Sequence, residues 1–343
     1  MPALRSLRRP VLGPTLAPAL LCAALLVAAL PARAVCDRRP LPPATAQAPH
    51  RVLFVGNSFL HGHAPPVLHY NADRVTDLNG TGFGGVPALF KQLADDAGVP
   101  VEVASDLVSG QTLAFHLAEK LPLITSRPWD IVVLQEYSTL NPQRPGDASA
   151  FIAAAGRLEE AVHAVNPAAR VYLLQTWARA DQVYATPGGH WAGKTLEAMQ
   201  GDLRAAYAKA LASARCIAGV LPVGDAALRA VQEGVADRNP LDGIDAGKVN
   251  LWADDSYHFG PWGSYLEALV IFGRLIGQDP ARAGASSRVA SDLGLAAEQA
   301  EAAQAVASRA LKGKGRYPAG RGPRPAQGAK TADTQPRPDS TAS

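Results

Sequence analysis

Short apolar runs recur along the chain, and most of them end at glycine or at polar residues. Runs of this kind, rich in β-branched side chains, are typical of buried strands. Residues 130–135 are the most strand-like of them, and we expect this strand to lie near the centre of a sheet. The five strands predicted in this way are 51–55, 99–104, 130–135, 170–175 and 216–223.

Segments with a helical period separate these strands. In the first of them Leu89, Phe90 and Leu93 share one face, and Gly98 ends the segment. Strands that alternate with helices predict an α/β fold in which helices cover both faces of a parallel sheet. The predicted helices are 86–97, a segment that begins at a turn and ends at Lys120, 148–165, 194–215, 226–234 and 260–277.

The strand and helix alternation predicts one domain over residues 51–280. Residues 59–86 have little helical or strand period, and a loop this long within a domain is usually functional. The flanking segments are an extended leader at 35–50, a C-terminal helix within 281–312 that is Ala-rich and amphipathic at 287–311, and a tail at 313–343 expected to be disordered.

The N-terminus has the pattern of a secretory signal. Three arginines within the first nine residues precede an apolar run at 16–30, and Ala32-Arg33-Ala34 follows as a small-residue cleavage site. The run is short for a membrane span. We therefore expect residues 1–34 to be removed and the protein to be secreted or periplasmic, with an uncleaved N-terminal anchor as the alternative.

Charge and cysteine content narrow the function classes further. Loss of residues 1–34 takes away four arginines and no acidic residue, so the formal charge falls from +3 to −1. A nearly neutral protein gives no reason to expect a nucleic-acid partner. Cys22 is lost with residues 1–34, and Cys36 and Cys216 are then in a compartment that permits disulfides. A bridge between them and two unpaired thiols are equally compatible with the sequence.

A candidate nucleophile follows the first strand directly. Gly56, Asn57 and Ser58 form a turn there, and ligands of open α/β sheets bind outside the carboxyl ends of the strands. A serine hydroxyl must lose its proton to a base as it attacks. Histidine suits that task at neutral pH when a carboxylate orients its second nitrogen. Asp255 and His258, just before the last core helix, are the best candidates for the acid and the base.

Together, Gly56-Asn57-Ser58, Gly110 and Asp255-x-x-His258 resemble the motifs of the SGNH (GDSL-type) hydrolase superfamily over residues 51–280. The resemblance implies a flavodoxin-like three-layer α/β/α fold and the hydrolysis of esters, often of acyl or acetyl groups on lipids or sugars. It implies that Ser58 is the nucleophile, His258 the base and Asp255 the orienting acid. It also implies an oxyanion hole built from the backbone amides of Ser58 and Gly110, and Gly110 has no Cβ to obstruct a close approach.

The sequence departs from the superfamily in the third motif. Members commonly carry Gly-x-Asn-Asp after strand three, and the Asn completes the oxyanion hole. Here that strand ends in Gln135-Glu136-Tyr137, and Asn141 lies too far along the chain. The Gln135 amide is the candidate replacement, although its longer side chain loses more rotamer entropy when it is fixed. Glu136 is interpreted as a solvated loop carboxylate.

Other polar and aromatic residues are candidates for substrate or metal binding. Asn57 and Trp177 are expected to bind substrate, although Trp177 suits a buried core equally well. Trp191, Trp252 and Trp262 could similarly stack on sugars or pack in the core. His61 and His63 raise the alternative of a zinc site, but neither an HExxH motif nor a cysteine partner is present. The acidic segment 242–250 lacks the spacing of an EF-hand calcium loop. We therefore assign no metal and no cofactor.

The favoured hypothesis is an exported serine esterase that hydrolyses a small acyl ester through an acyl-serine intermediate. The substrate is a small-molecule or glycan ester, and acetyl on a glycan is the specific case suggested by the resemblance. The protein has no nucleic-acid partner and no stable membrane span after signal cleavage. The missing third-motif Asn and the long 59–86 segment motivate an alternative, a non-catalytic glycan-binding module on the same fold. A metal-dependent hydrolase that uses His61 and His63 is a third possibility.

Overall fold

A six-stranded parallel sheet forms the centre of the computed structural model, which describes residues 36–313. The order of strands is β2-β3-β1-β4-β5-β6. The predicted α/β fold with a parallel sheet is confirmed, and the strand predicted to be central lies between β1 and β5. The strands are β1 (His50–Gly56), β2 (Thr76–Asp77), β3 (Val101–Leu107), β4 (Ile131–Gln135), β5 (Arg170–Leu174) and β6 (Ile217–Leu221).

The sheet has one strand more than the five predicted. The additional strand is β2, which pairs in parallel with β3 at the edge of the sheet. It lies within the 59–86 segment, where we predicted a long loop. Two residues are too few to show a strand period, so the sequence pattern could not reveal it.

Helices cover both faces of the sheet. Every residue of β4 and β5 is buried, which requires cover on both sides because side chains alternate between the faces. Helix α9 packs against both α3 and α11, and α6 packs on α7. The helices are α1 (Ser58–His61), α2 (Pro65–Leu68), α3 (Gly85–Asp96), α4 (Leu113–Phe115), α5 (Leu121–Ile124), α6 (Ser149–Val165), α7 (Leu196–Ser213), α8 (Val223–Gln232), α9 (Pro261–Ile276), α10 (Arg288–Asp292) and α11 (Ala297–Lys312).

A close approach between α1 and α3 fixes the start of the 59–86 segment. Gly85 opens α3 with φ +60°, a conformation that favours glycine. A Cβ at this position would lie 2.5 Å from the Leu60 carbonyl oxygen and 2.7 Å from the His61 carbonyl oxygen. The glycine therefore allows α3 to pack directly beneath the short helix that carries Ser58.

The C-terminal helix shares the hydrophobic core of the sheet domain. In α11, Ala300, Ala303 and Val306 are fully buried, and the helix packs along α9. The Trp262 indole of α9 donates a hydrogen bond of 2.9 Å to the Gln299 carbonyl oxygen. Three of the six buried residues of α11 are alanines, and small side chains allow packed helices to approach closely.

A disulfide attaches the leader to the start of β6. Cys36 and Cys216 are bridged, with their Cα atoms 5.9 Å apart. The Asp37 amide donates a hydrogen bond of 2.6 Å to the Pro167 carbonyl, and the Arg170 guanidinium donates one of 2.5 Å to the Asp37 carbonyl. Of the two alternatives open from the sequence, the structure has the bridge.

The secretory signal predicted at 1–34 and nearly all of the tail predicted at 313–343 lie outside the described residues. Among residues 36–313, no helix is both long enough and apolar enough to cross a bilayer. The disulfide is compatible with a secreted protein, since such bonds persist in oxidising compartments.

Candidate active site

The turn after β1 places Ser58 at the carboxyl edge of the sheet. The strand order reverses at β1, which has β3 on one side and β4 on the other, and such a reversal opens a crevice at that edge. Ser58 is the first residue of α1. The Asn57 side chain caps this helix by accepting a hydrogen bond of 3.2 Å from the Phe59 amide. The cap holds the nucleophile candidate at the mouth of the crevice.

A second tight turn, just before α9, presents His258. One carboxylate oxygen of Asp255 accepts hydrogen bonds of 2.9 Å from the amides of Tyr257 and His258. Ser256, which lies between Asp255 and Tyr257, has φ +53°, which is uncommon for a residue with a side chain. The turn leaves the other Asp255 oxygen free to face the His258 ring.

Ser58, His258 and Asp255 form one hydrogen-bonded series. The His258 Nε2 atom lies 2.8 Å from the Ser58 Oγ atom, and the His258 Nδ1 atom lies 2.6 Å from the Asp255 Oδ2 atom. Because a carboxylate can only accept, Nδ1 carries the hydrogen in the neutral ring, and Nε2 is free to accept from the serine hydroxyl. Two residues 200 positions apart in the chain thus meet at one edge of the sheet.

The protonation equilibria of the pair suit a neutral imidazole and an ionised carboxylate. Burial lowers the pKa of His258 below its ordinary 6.5, and this outweighs the opposing effect of the Asp255 hydrogen bond and charge. For Asp255, burial alone would raise the pKa. Hydrogen bonds from the His258 ring and from the amides of His258 and Tyr257 outweigh it, and the pKa is lowered.

A stack of three aromatic rings ties the two turns together. The Trp177 ring lies between Phe59, 3.9 Å away between centroids, and Phe259, 3.5 Å away. Its indole nitrogen donates a hydrogen bond of 3.1 Å to the Tyr257 carbonyl. Trp177 is fully buried, so its role is packing and the expected substrate contact is not supported. The stack fixes the helix of Ser58 against the turn of His258.

Asn57 and Gln135 are buried in the support of the turn. The Asn57 side chain donates to the Gln111 carbonyl at 2.8 Å, besides capping α1. The Gln135 side-chain oxygen accepts from the Asn57 amide at 2.9 Å, and its amide nitrogen donates to the Glu136 carbonyl. Both side chains have their hydrogen-bonding groups engaged. This arrangement does not favour the predicted substrate contact of Asn57 or the predicted oxyanion donor at Gln135.

Gly56 permits this arrangement. A Cβ on Gly56 would lie 2.5 Å from the Gln135 side-chain oxygen, which is closer than real atoms approach. The glycine of the turn motif therefore allows Gln135 to reach the Asn57 amide from the neighbouring strand.

Gly110 lies in an exposed turn after β3, with φ +74°. A Cβ at this position would meet no atom within 4 Å, so the need for glycine comes from the backbone conformation and not from crowding. The Val108 amide donates a hydrogen bond of 3.0 Å to the Gly56 carbonyl, which holds this turn against the turn of Ser58. Within residues 36–313, neither the Ser58 amide nor the Gly110 amide has a hydrogen-bond acceptor.

Glu136 is not the solvated carboxylate that we expected. Its side chain is buried, and burial raises its pKa to about 8. The Tyr137 amide donates to it at 2.6 Å and the Leu113 amide at 3.3 Å, and these bonds lower the pKa only in part. The position directly after a strand suggested exposure, but the carboxyl group is buried against the start of α4, whose Leu113 amide donates to it.

A buried pair that was not predicted from the sequence contacts the backbone of the turn that carries Ser58. Asp106 and His116 are both fully buried, with 2.9 Å between the carboxylate and the His116 Nδ1 atom. The His116 Nε2 atom lies 2.8 Å from the Gly56 carbonyl oxygen. A histidine in a predicted helix and an aspartate two residues beyond a predicted strand carry no signal of this contact, because it depends on how α4 and β3 pack.

Two further residues near His258 were not predicted from the sequence, and they are Arg179 and Tyr257. Arg179 follows β5 and is buried, with its guanidinium bound to Asp181 at 2.6 Å and to the Ser138 hydroxyl at 2.9 Å. Its central carbon lies 3.5 Å from the centre of the Tyr257 ring. The proximity of Tyr257 to His258 in sequence was the available signal.

The histidines of the 59–86 segment separate in the structure. His61 is buried, its Nδ1 atom lies 3.2 Å from the Ser109 hydroxyl, and burial lowers its pKa to about 4. His63 instead stacks on His258, with 5.0 Å between ring centroids and 7° between ring planes. The pair is therefore not arranged as the zinc site considered above.

One group of side chains within residues 36–313 could be considered for a metal. Ligand atoms of His63, Asp255 and His258 lie within 4.8 Å of one another. However, the two rings are stacked nearly parallel, so their in-plane lone pairs do not converge on a common point. The Asp255 and His258 atoms in question already bond to each other. The geometry favours a hydrogen-bonded series over a metal centre.

The remaining tryptophans offer no sugar-stacking face. Trp191, Trp252 and Trp262 are each at most 3% exposed. Their role is core packing, which was the second of the two alternatives open from the sequence.

Comparisons with known proteins find similar folds only among solved structures. No protein-family model matches the chain, and no curated protein matches it significantly. A candidate SGNH hydrolase from Slackia heliotrinireducens is 22% identical, with a TM-score of 0.44 over 65% of this chain and 97% of that one. A GDSL-like lipase from Parabacteroides merdae is 15% identical, with a TM-score of 0.46 over 68% of this chain and 96% of that one.

A carbohydrate esterase of family 3 from Talaromyces cellulolyticus is 14% identical, with a TM-score of 0.40 over 66% of this chain and 97% of that one. Similarity at this level assigns no activity. The function proposed below rests on the geometry around Ser58.

Proposed function

We propose that the protein is an exported SGNH-type serine hydrolase that cleaves esters of small acyl groups. The observation that carries the proposal is the series from Ser58 through His258 to Asp255, with distances of 2.8 Å and 2.6 Å. The arrangement provides a nucleophile, a base and a group that orients the base, each within hydrogen-bond reach of the next.

In the proposed reaction, the Ser58 Oγ atom attacks the ester carbonyl carbon while its proton passes to the His258 Nε2 atom. Asp255 stabilises the imidazolium that forms. The tetrahedral intermediate then collapses, the bond to the alcohol breaks, and the alcohol leaves with the proton from Nε2. An acyl-serine remains on the protein.

Water completes the cycle. It attacks the acyl-serine carbonyl and gives a proton to the His258 Nε2 atom, which returns this proton to the Ser58 Oγ atom as the acid leaves. In both steps the carbonyl oxygen becomes an oxyanion. The unengaged amides of Ser58 and Gly110 are the proposed backbone donors for it, and such a donor contributes about 2.7–4 kcal/mol.

The proposed export and the proposed substrate class rest on features other than the geometry around Ser58. The N-terminal signal pattern and the Cys36–Cys216 bridge support export. The motif resemblance supports acyl or acetyl esters on sugars as the first substrate class to test. Comparing release of acetate from an acetylated glycan with hydrolysis of a long-chain acyl ester separates this class from lipids.

The test is hydrolysis of p-nitrophenyl acetate by the Ser58→Ala variant. We expect the esterase activity to fall to background while the melting temperature stays near that of the wild type, because Ser58 is only part-buried. Ser126→Ala is the matched control, since Ser126 lies in an exposed turn after α5. Full activity of Ser58→Ala would refute the assignment.

A further inference from the structure

Two adjacent aspartates each bind one histidine beside Ser58. The Asp255 carboxylate lies 2.6 Å from the His258 Nδ1 atom, and the Asp254 carboxylate lies 3.1 Å from the His63 Nε2 atom. Because a carboxylate accepts, Nε2 of His63 carries the hydrogen of its bond. His63 belongs to the 59–86 segment and lies 191 positions before Asp254 in the chain. The proposed reaction uses the first pair and leaves the second without a role.

The His63 ring lies against the ring of the base. The two ring centroids are 5.0 Å apart, and the ring planes are within 7° of parallel. This is the offset-stacked arrangement that aromatic rings prefer. The His63 Nδ1 atom lies 3.8 Å from the Asp255 Oδ2 atom, which is too long for a hydrogen bond. His63 therefore acts on the base through ring contact and charge.

The contact contributes to the burial of the base. The His63 side chain is 42% exposed, whereas the His258 side chain beneath it is only 12% exposed. Burial is the largest influence on the pKa of His258 and lowers it, so a ring that excludes water from one face acts in that direction. A positive charge on His63 also lowers the pKa of His258.

Other charges act on the same pair of rings. The Asp255 carboxylate raises the pKa of His258, and the Arg179 guanidinium lowers it. The titratable groups that face the His258 ring or the His63 ring from the neighbouring turns are Asp254, Asp255, Tyr257 and Arg179. Among the influences on His258, His63 is the one that comes from the 59–86 segment.

From this geometry we infer that His63 is a positioning residue for His258. Its ring holds the imidazole in the plane that faces Ser58 and Asp255, and it excludes water from one face of the base. The hydrogen bond to Asp254 fixes His63 in turn. The inference rests on the proposed esterase function and deepens it, since it gives the 59–86 segment a part in positioning the base.

The test is a pH–rate profile of the His63→Ala variant with p-nitrophenyl acetate. We expect kcat to fall about 10-fold with little change in KM, because a base that is less well oriented slows the reaction step. The acid midpoint of kcat/KM should move to higher pH, since hydration of the ring face and loss of the neighbouring charge both raise the pKa of His258.

Three further variants sharpen the test. His63→Phe keeps a ring that can stack, and it should recover kcat to within about threefold of the wild type. His63→Gln keeps a donor for Asp254 but has no ring, and its acid midpoint should move upward as in His63→Ala. His69→Ala is the matched control, because His69 is exposed on the same segment and its ring contacts Phe83. It should keep the wild-type profile.

The outcomes separate the inference from the function on which it rests. If the wild type is active, Ser58→Ala is inactive and His63→Ala keeps both its kcat and its acid midpoint, the inference is overturned and the esterase remains. A fall in kcat without a shift of the midpoint would also overturn the inference, since general structural damage gives that result. An inactive wild type overturns both. If His63→Ala melts at a much lower temperature, His63→Gln decides, and an unchanged midpoint in that variant overturns the inference.

Discussion

At His258, burial and the neighbouring Asp255 carboxylate change the pKa of the ring in opposite directions. Burial disfavours the imidazolium and lowers the pKa, whereas the Asp255 carboxylate favours it and raises the pKa. The balance leaves the pKa below 6.5. A general base must be neutral to accept the serine proton, so the active form is the one that exists above this pKa.

We therefore expect kcat/KM for p-nitrophenyl acetate to fall as the pH is lowered, with a midpoint below pH 6.5. In Asp255→Asn the carboxylate that raises the pKa of His258 is gone, so this midpoint should move to still lower pH. The amide also fails to hold the ring in the required tautomer, and the rate should fall about 10⁴-fold. A pH–rate profile of both proteins measures the two effects.

The control for this prediction is Asp73→Asn, because Asp73 is exposed on the 59–86 segment. It should keep the wild-type profile. In Asp255→Asn the side-chain carbonyl can still accept from the backbone amides of Tyr257 and His258, so the turn is expected to survive. A profile of Asp255→Asn that keeps the wild-type rate, or whose acid midpoint moves upward, would contradict the account of His258.

Individual residues could be predicted where chemistry and order in the chain were sufficient. Ser58, Asp255 and His258 could be selected because a nucleophile, a base and an acid each follow a recognisable turn. The surroundings of Asn57, Gln135 and Trp177 could not be predicted, since they depend on burial and on partners from other strands. The same holds for Glu136, whose carboxyl group accepts from the Leu113 amide of α4.

At the scale of one element, α9 contains an unusual side chain. Glu267 is fully buried, and neither oxygen of its carboxyl group has a hydrogen-bond partner within residues 36–313. Burial raises its pKa well above 4.5. The group is therefore protonated in the folded protein and ionised in the unfolded chain above about pH 4.5. Unfolding releases a proton, so this group lowers the free energy of unfolding as the pH rises.

We predict that Glu267→Met raises the free energy of unfolding, by about 1–3 kcal/mol at neutral pH, because it removes an unsatisfied polar group at similar volume. The gain should be larger at pH 8 than at pH 5, since the wild type alone loses stability over that interval. Urea denaturation at both pH values measures this. Glu301→Met, on the exposed side of α11, should show no such pH dependence. A Met variant that is less stable at both pH values would mean that the carboxyl group has a favourable partner.

Whole elements were more predictable than single roles. All five predicted strands and the long helices up to residue 277 occur, since a buried strand and an amphipathic helix each leave a period in the sequence. The single C-terminal helix predicted at 287–311 is instead divided into α10 and α11, and Gly294 between them has φ +71°. The failures are short elements. Strand β2 and helices α1 and α2 lie within a segment predicted to be a loop, and the helix predicted to end at Lys120 is divided by a π-helical turn at 116–120. Elements of one turn or less have too few residues to show a period.

At the scale of the molecule, the fold brings distant turns to one edge. The parallel sheet sets the carboxyl ends of β1 and β3 side by side, and the Trp177 stack joins the turn of Ser58 to that of His258. At the start of β6, the Cys36–Cys216 bridge closes a loop across 180 residues. The sequence alone could not decide the strand order or the disulfide, because both depend on distances that a linear pattern does not contain.

Covalent labelling with a fluorophosphonate, mapped by mass spectrometry, tests the central claim most directly. The reagent reacts with a serine only where a base activates it and an oxyanion site accommodates the phosphoryl oxygen. We predict one adduct, on Ser58, that is lost in Ser58→Ala and kept in Ser126→Ala. Absence of any adduct, together with retention on a glycan column, would contradict the esterase and favour the binding module. An adduct on another serine would contradict the assignment of Ser58.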